Sequence, residues 1–511
     1  MSVPDVLVVG AGPAGLATAL QAQANGAEVR VVDRRPDAGR PSRAMVVHPR
    51  TLENLRVLGV TDELMERADT RPRAELHLGG RCVSVSMQEL ALPDTAFPHL
   101  TLVRQRDVEE VLAGTLARRG VHVERGVELT ALAQASSRPV RAVLRSEDRT
   151  EQVEARFLAG CDGQASTVRR LAGISWRGAP YREEVVLADV ELDGGLDPGV
   201  LHAVAGRDGL VFVFALGEGA SWRVLATRPL GDAGPLAFGQ PGPPVPVQQV
   251  QRLLDEAGLP ATVAAMPWSA RVPLQHRLAG SFRSGGLFLA GDAAHAQSPA
   301  GAQGMNTGIQ DAVNLGWKLA YAARSGHVDP LLASYDAERR PAARLVLAMT
   351  HLIFFAEASS HPAARLLRGR LVPLGAPALP LLLGQRRLLA EGVRVLGQMR
   401  FGYRHSPLSC EAAPRSRLGA RPGDRLPDGD VRCDGTTRRL HDLTARPGMH
   451  VLLARDAVEL PSWQGISVHR LTDRAGRDAL VVRPDGVVGY RSGEADTVEL
   501  AGWLRLAGAL S

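Results

Sequence analysis

The sequence predicts an α/β protein in which a doubly wound sheet of parallel strands and helices is interrupted by a mainly β segment and followed by a third domain. Three observations carry this. A βαβ rhythm opens the chain, a strand-rich stretch with few helical periods runs from Tyr181 to Arg228, and a buried strand followed by a one-faced helix returns near Leu287. The expected divisions are 1–175 and 281–400 for the two parts of the first domain, 176–280 for the inserted β region and 401–511 for the tail.

Each element has its own signal. Val6 to Val9 is an apolar strand, Ala14 to Asn25 a helix of small residues, and Glu28 to Asp33 a second strand. In the β region, Val211 to Ala215 alternates, and a Gly/Pro-rich stretch runs from Gly231 to Pro246. Leu287 to Ala290 is the returning strand, after which Ile309, Val313, Gly316, Ala320 and Ala323 share one helix face. Beyond about Gly419, short strands at His450 to Ala454, Ala479 to Arg483 and Val487 to Arg491 precede a helix near Val498 to Ala509. No 20–50-residue repeat marks a solenoid.

Composition excludes several classes. With 511 residues, 45% hydrophobic and 22% charged, the chain has material for two or three globular domains and is not disordered or fibrous. Sixty basic against 54 acidic residues is a mild excess; Lys318 is the only lysine and no basic run with interleaved aromatics occurs, so nucleic acid is not an expected partner. Cys82, Cys161, Cys410 and Cys433 are widely separated, which points to neither a disulfide framework nor a metal site, and to a cytoplasmic setting. A strand begins almost at the first residue, leaving no room for a secretory leader. Leu345 to Ala356 is short and contains a histidine, and Leu371 to Gly384 is broken by prolines; both read as buried helices and turns, not membrane spans.

The first chemical motif is Gly10-Ala-Gly-Pro-Ala-Gly15, between the first strand and the first helix. Gly10, Gly12 and Gly15, with Pro13 and Ala14 among them, permit the tight turn, close approach of a pyrophosphate and close helix packing, while the helix start offers N–H groups to the phosphates. Asp33 ends the second strand about 20 residues on, where a ribose-binding acid belongs, with Arg34 beside it. The motif occurs once, so one nucleotide is held firmly and a second must bind without a domain of its own.

Two further clusters follow strands: Cys161-Asp-Gly163 leading into Ser166-Thr-Val-Arg169, and Gly291-Asp-Ala-Ala-His295 leading to Pro299 and Gly304-Met-Asn306. With the glycine motif, they resemble the flavoprotein aromatic hydroxylases of the para-hydroxybenzoate hydroxylase type. Arg43-Ala44, Pro49-Arg-Thr-Leu-Glu53, the run Gly304 to Ala312 and a C-terminal domain are similar to the branch that oxidises phenols and aromatic polyketides. The implied fold class is α/β: a Rossmann-like FAD-binding domain with an inserted β-sheet substrate domain and a C-terminal thioredoxin-like domain.

The resemblance also assigns residues. It makes Asp292, after Gly291, the ribityl-binding carboxylate and sets Pro299, Gly301, Gly304, Met305 and Asn306 beside the flavin pyrimidine, where a helix start stabilises negative charge. It places Arg43, Arg104 and Gln105 on pyrophosphate or ribityl groups, Leu129 beside the adenine, and Asp162 with Gly163 near FAD and NAD(P)H. Plainer roles stay open: Asp162 as a cap for the helix near Ser166, Arg104 and Gln105 as a solvated strand end, and His295 in a structural hydrogen bond. The chain reads Pro299-Ala-Gly-Ala302 where the family often has two glycines, so a tighter loop is expected. Cys410 and Cys433 lack redox spacing, which leaves the tail a structural or dimer-forming role.

The implied activity is monooxygenation of a phenolic, polycyclic aromatic with NADPH or NADH and O2, through a flavin C4a-hydroperoxide, by a class A FAD enzyme. No catalytic acid or base is identified. Baeyer–Villiger oxygenation or oxidative inactivation of an antibiotic are rivals within enzymes, and a flavin-bearing binder is the rival outside them. A halogenase fits poorly, since no W-x-W occurs and Lys318 falls in the long helix.

Overall fold

The computed structural model describes residues 3–510 apart from 39–43, 79–80, 87–90, 134–138, 207–208, 216–219, 231–237, 239–241, 326–328, 372–373, 375–376, 378–384 and 417–418. Its nucleotide-type sheet has six strands in the order Arg283–Ser284, Leu287–Leu289, Phe157–Gly160, Val6–Val9, Val29–Asp33, Val123–Arg125. The pairs flanking Val6–Val9 are parallel, and Val6–Val9 and Phe157–Gly160 are buried throughout, as strands covered on both faces must be. The chain leaves Val6–Val9 for one side of the sheet and returns on the other, which opens a crevice at its carboxyl end. Helix Pro13–Ala24 packs on helix Gln303–Arg324 because Gly316 lets them touch: a Cβ there would stand 2.7 Å from the Gln21 Cβ.

The second sheet has eight strands: His295–Ala296, Ala261–Ala279, Trp176–Gly194, Trp222–Pro229, Gly209–Phe214, Val200–Gly206, Arg73–Leu78 and Arg81–Ser86. The β region therefore does not begin at 176. Arg73–Leu78 pairs in parallel with Val200–Gly206 from more than a hundred residues upstream, a long-range partnership with no local signature. Alternation then divides the sheet. Val186, Ala188, Val213, Val224 and Ala226 pack with Val250 and Leu254 of helix Val247–Glu256, whereas Val185, Leu187, Leu225, Val272 and Leu274 face an internal cavity.

Helix Asp329–Ala358 covers part of this sheet through Val346, Thr350, Phe354 and Ala358, buried at four-residue steps, while Leu345 and Leu352 on its other face are exposed. The reading of Leu345 to Ala356 as buried thus holds for one face. By length and composition this is the one helix among the described residues able to cross a membrane. Most of Leu371 to Gly384 lies outside the described residues; Leu371 and Leu374 are exposed.

The tail forms a seven-stranded sheet in the order Cys410–Glu411, Val488–Ser492, Ala479–Val482, Met449–Ala454, Ile466–Leu471, Asp430–Cys433, Thr436–Arg439. Cys410 and Cys433 occupy the first and sixth strands, about 24 Å apart at ordinary strand spacing, far beyond disulfide reach. Buried ion pairs dock this sheet. The Glu338 carboxylate accepts from Lys318 Nζ at 2.7 Å, from Asn314 Nδ2 at 2.7 Å and from both terminal nitrogens of Arg483 at 2.7 and 2.8 Å. Asp485 accepts from Arg483 Nε at 3.0 Å and from Asn314 Nδ2 at 2.9 Å. Burial lowers the Lys318 pKa to about 8 against the opposing pull of Glu338.

Candidate functional site

The glycine turn is built by close approach. Gly10 has φ +104° and a Cβ on it would lie 2.4 Å from the Cys161 carbonyl oxygen, while one on Gly15 would lie 1.8 Å from the Gly10 oxygen. Above Gly12 nothing stands within 4 Å. Gly12 is also the N-cap of helix Pro13–Ala24 and supplies no side-chain cap, so the first N–H groups face the cavity that Gly10, Gly12, Pro13 and Ala14 line. Gly15 sits behind the turn as a packing residue, outside the lining.

Asp33, 5% exposed, accepts from the Ala11 N–H at 2.7 Å and from the Arg35 N–H at 2.9 Å, and pairs with the Arg35 guanidinium at 3.0 Å. Burial is the largest influence on its pKa and raises it, but the bonds from Arg35 and Ala11 together outweigh burial and hold the carboxyl below its ordinary value. Arg34 and Arg35 both line the cavity, and Arg35 Nη1 is buried without a hydrogen-bond partner. Sequence reasoning passed over Arg35; the arginine doublet was the available signal.

At the other end of the crevice, strand Leu287–Leu289 runs into the 3-10 turn Gly291–Ala293. Half-buried Asp292 lines the cavity with one long contact, from Gln164 Nε2 at 3.4 Å. Past Pro299, the turn Ala300–Ala302 places Gly301 at φ +67° and Ala302 at φ +53°, and helix Gln303–Arg324 begins with no side-chain cap. A Cβ in the left-handed region costs about 1 kcal/mol, so Ala302 holds mild strain where glycine would hold none. Gly291, Pro299, Gly301, Gly304 and Met305 line the cavity. Asn306 does not: its Oδ1 accepts from the His48 N–H at 2.9 Å and its Nδ2 donates to Val46 and Ala302 oxygens, tying the loop to the preceding chain. His48, another residue missed, lies against Gly301 O at 3.1 Å through Nε2 while Nδ1 is partnerless; burial lowers its pKa to about 4, so it is neutral.

The remaining residues divide. Gln105, Leu129, Asp162 and Gly163 line the cavity; Arg104 is the N-cap of helix Gln105–Arg118, outside the lining, with its guanidinium on Asp107 at 2.8 Å; Arg43 lies outside the described residues. Asp162 accepts from Ser166 Oγ at 2.5 Å and from the Thr167 and Val168 N–H groups, the capping arrangement. His295, 1% exposed, meets Asp311 at 2.6 Å, and Asp311 also binds Arg339 at 2.7 Å, so the histidine is part of a buried structural network.

The cavity, about 800 Å³, continues from this polar end between the large sheet and helix Asp329–Ala358. There its walls are Leu76, Leu187, Phe212, Leu225, Leu274 and Phe354, with one acidic side chain, Glu357. Glu357 has no hydrogen-bond or ion-pair partner among the described residues, and burial raises its pKa to about 7.

Two uncapped helix starts, open space above Gly12, the partnerless Arg35 Nη1 and the lone Asp292 carboxylate together suit a long dinucleotide. Residues 4–350 match the family model described as "FAD binding domain". The chain belongs to that family of para-hydroxybenzoate-hydroxylase-like aromatic hydroxylases, and it is a flavin-dependent aromatic monooxygenase. It is 34% identical over 465 residues to 6-methylpretetramide 4-monooxygenase of Streptomyces rimosus, covering 90% of this chain and 78% of that one. Among solved structures it resembles anhydrotetracycline hydroxylase from Streptomyces rimosus (TM-score 0.75, 28% identity, 99% of both chains). It also resembles aklavinone-11 hydroxylase in complex with FAD and aklavinone (TM-score 0.77, 26% identity, 99% of this chain and 98% of that one). Asp292→Ala is expected to lower FAD affinity about tenfold, by losing hydrogen bonds from flavin-chain hydroxyls to a carboxylate; fluorescence titration of the apoprotein reads this, and unchanged affinity removes Asp292 from the site.

Proposed function

We propose that the chain hydroxylates a ring carbon of a phenolic, polycyclic substrate of the aromatic polyketide type, using NADPH or NADH as transient hydride donor and O2 as oxygen source. The observation that carries this reading is one cavity that is nucleotide-shaped at the glycine turn and apolar under the large sheet. The relatives support it, since their names include 6-methylpretetramide and aklavinone. Bound FAD supplies the electrophilic oxygen. The chain itself excludes water, orients the ring and accepts the phenolic proton. Glu357 is the acceptor: the phenol O–H bond breaks, its electron pair moves into the ring, and the carboxylate takes the proton. A base titrating near neutral pH is matched to that task, and the cavity's other acids, Asp33, Glu128, Asp162 and Asp292, belong to its nucleotide end.

Oxygen-18 labelling of the product tests the reaction. Label on a ring hydroxyl is expected; label inside a new lactone or ester would make the enzyme a Baeyer–Villiger catalyst. In the same assay, hydroxylation should rise with pH through about 7, as Glu357 ionises, and Glu357→Gln should abolish that rise while NAD(P)H-driven flavin reduction stays unchanged. A profile identical in the variant removes Glu357 from the reaction.

The tail is read as a thioredoxin-like domain without redox chemistry, serving packing or a homodimer, supported by the separation of its two cysteines. Four unpaired cysteines suit a cytoplasmic setting.

A further inference from the structure

Linear spacing points to no metal cluster, yet the large sheet assembles one. Glu75 and His77 alternate with Ala74 and Leu76, which face the substrate cavity, so both acid and imidazole stand on the opposite face. Antiparallel pairing sets Cys82 beside His77, and parallel pairing sets His202 beside Glu75, with His202 between the cavity-lining Leu201 and Ala203. Three side chains of the zinc-ligand classes, Glu75, His77 and Cys82, thus meet on two neighbouring strands, and His202 reaches the Glu75 carboxylate from a third.

We propose that Glu75, His77, Cys82 and His202 form a structural zinc site on the outer face of the substrate sheet. The spacing suits a tetrahedral ion. Ligands about 2.0–2.3 Å from zinc lie about 3.3–3.8 Å from one another. Here His202 Nδ1 is 3.4 Å and His77 Nε2 3.8 Å from Glu75 Oε2, and ligand atoms of Glu75, His77 and Cys82 fall within 4.8 Å of each other. The second observation is His202 itself: it is 3% exposed, and neither ring nitrogen has a hydrogen-bond partner, a costly state for a buried imidazole unless something binds it. One carboxylate, one thiolate and two neutral imidazoles would also balance the charge of a divalent ion. Four protein ligands leave no open position, so the ion would staple the hairpin Arg73–Ser86 to strand Val200–Gly206 behind the cavity wall.

The test uses the FAD-loaded protein with Zn2+ and Co2+ as probes. After dialysis against zinc and then metal-free buffer, wild type should retain about one zinc per chain, and cobalt should give a thiolate charge-transfer band in the difference spectrum. Cys82→Ser should lose the band, and His202→Gln should weaken zinc binding at least about tenfold, with flavin content unchanged in both as the check on folding. Exposed Cys82 makes the serine variant structurally mild. Failure of wild type to retain zinc, or equal zinc binding by wild type and both variants, overturns the site.

Discussion

Replacing Glu338 by alanine is expected to cost about 3–5 kcal/mol, the loss typical when one partner of a buried ion pair is removed. Glu338 has no exposed side-chain surface, and its oxygens serve Lys318, Asn314, Arg483 and Ser406 at once. Removal leaves an ammonium and a guanidinium facing each other in the interior, with Asp485 paired directly only with the second. Lys318 and Glu338 lie in the helices behind the flavin crevice, and Arg483 and Asp485 in the tail, so the two bodies should loosen together. Differential scanning calorimetry and limited proteolysis check this. A transition within one degree of wild type, with the tail equally resistant, would show that these pairs do not hold it.

Gly15→Ala is expected to yield apoprotein. Its new Cβ would meet a backbone oxygen at 1.8 Å, and that oxygen belongs to Gly10, whose own position is set by Cys161, so the turn must open. Loss of FAD brings a second deficit, because a ligand present at a hundred times its Kd contributes about 2.7 kcal/mol to folding. Gly12→Ala separates the two effects. With nothing within 4 Å, that Cβ fits the fold but projects into the cavity that Gly12 lines, so the variant should fold like wild-type apoprotein and, if the proposed pyrophosphate position holds, bind FAD poorly. Absorbance at the flavin band and apoprotein melting curves distinguish the cases; flavin-replete Gly15→Ala would contradict this account of the turn.

The nucleotide end of the site was readable because its signals are local. Gly10, Gly12, Gly15 and Asp33 lie on one βαβ unit, where spacing along the chain dictates spacing in the fold. Asp292 and Gly301 follow from a strand, a turn and a helix start in sequence. Where contacts are made between distant segments, the signal disappears. The Asn306 side-chain amide, held by the chain at Val46 to His48, makes such a contact. Arg73–Leu78 carries only a short alternation that names no partner, and Glu357 is notable because of what surrounds it, which helix periodicity does not report. Asp162 caps the helix near Ser166 and also lines the cavity, while His295 satisfies its ring nitrogen on buried Asp311.

The union of Arg73–Leu78 with Val200–Gly206 also dictates an order of assembly. During synthesis, Val6–Val9 and Val29–Asp33 emerge close together and can pair early, whereas Phe157–Gly160 reaches its place beside Val6–Val9 only after a long interval. The hairpin Arg73–Ser86 must wait too, one strand edge unpaired, until about 120 more residues have left the ribosome. The cavity wall at Arg73–Leu78 is therefore closed before Leu287–Leu289 and the turn at Gly291–Ala293 complete the crevice, and the nascent chain is most open to wrong pairing while each edge waits.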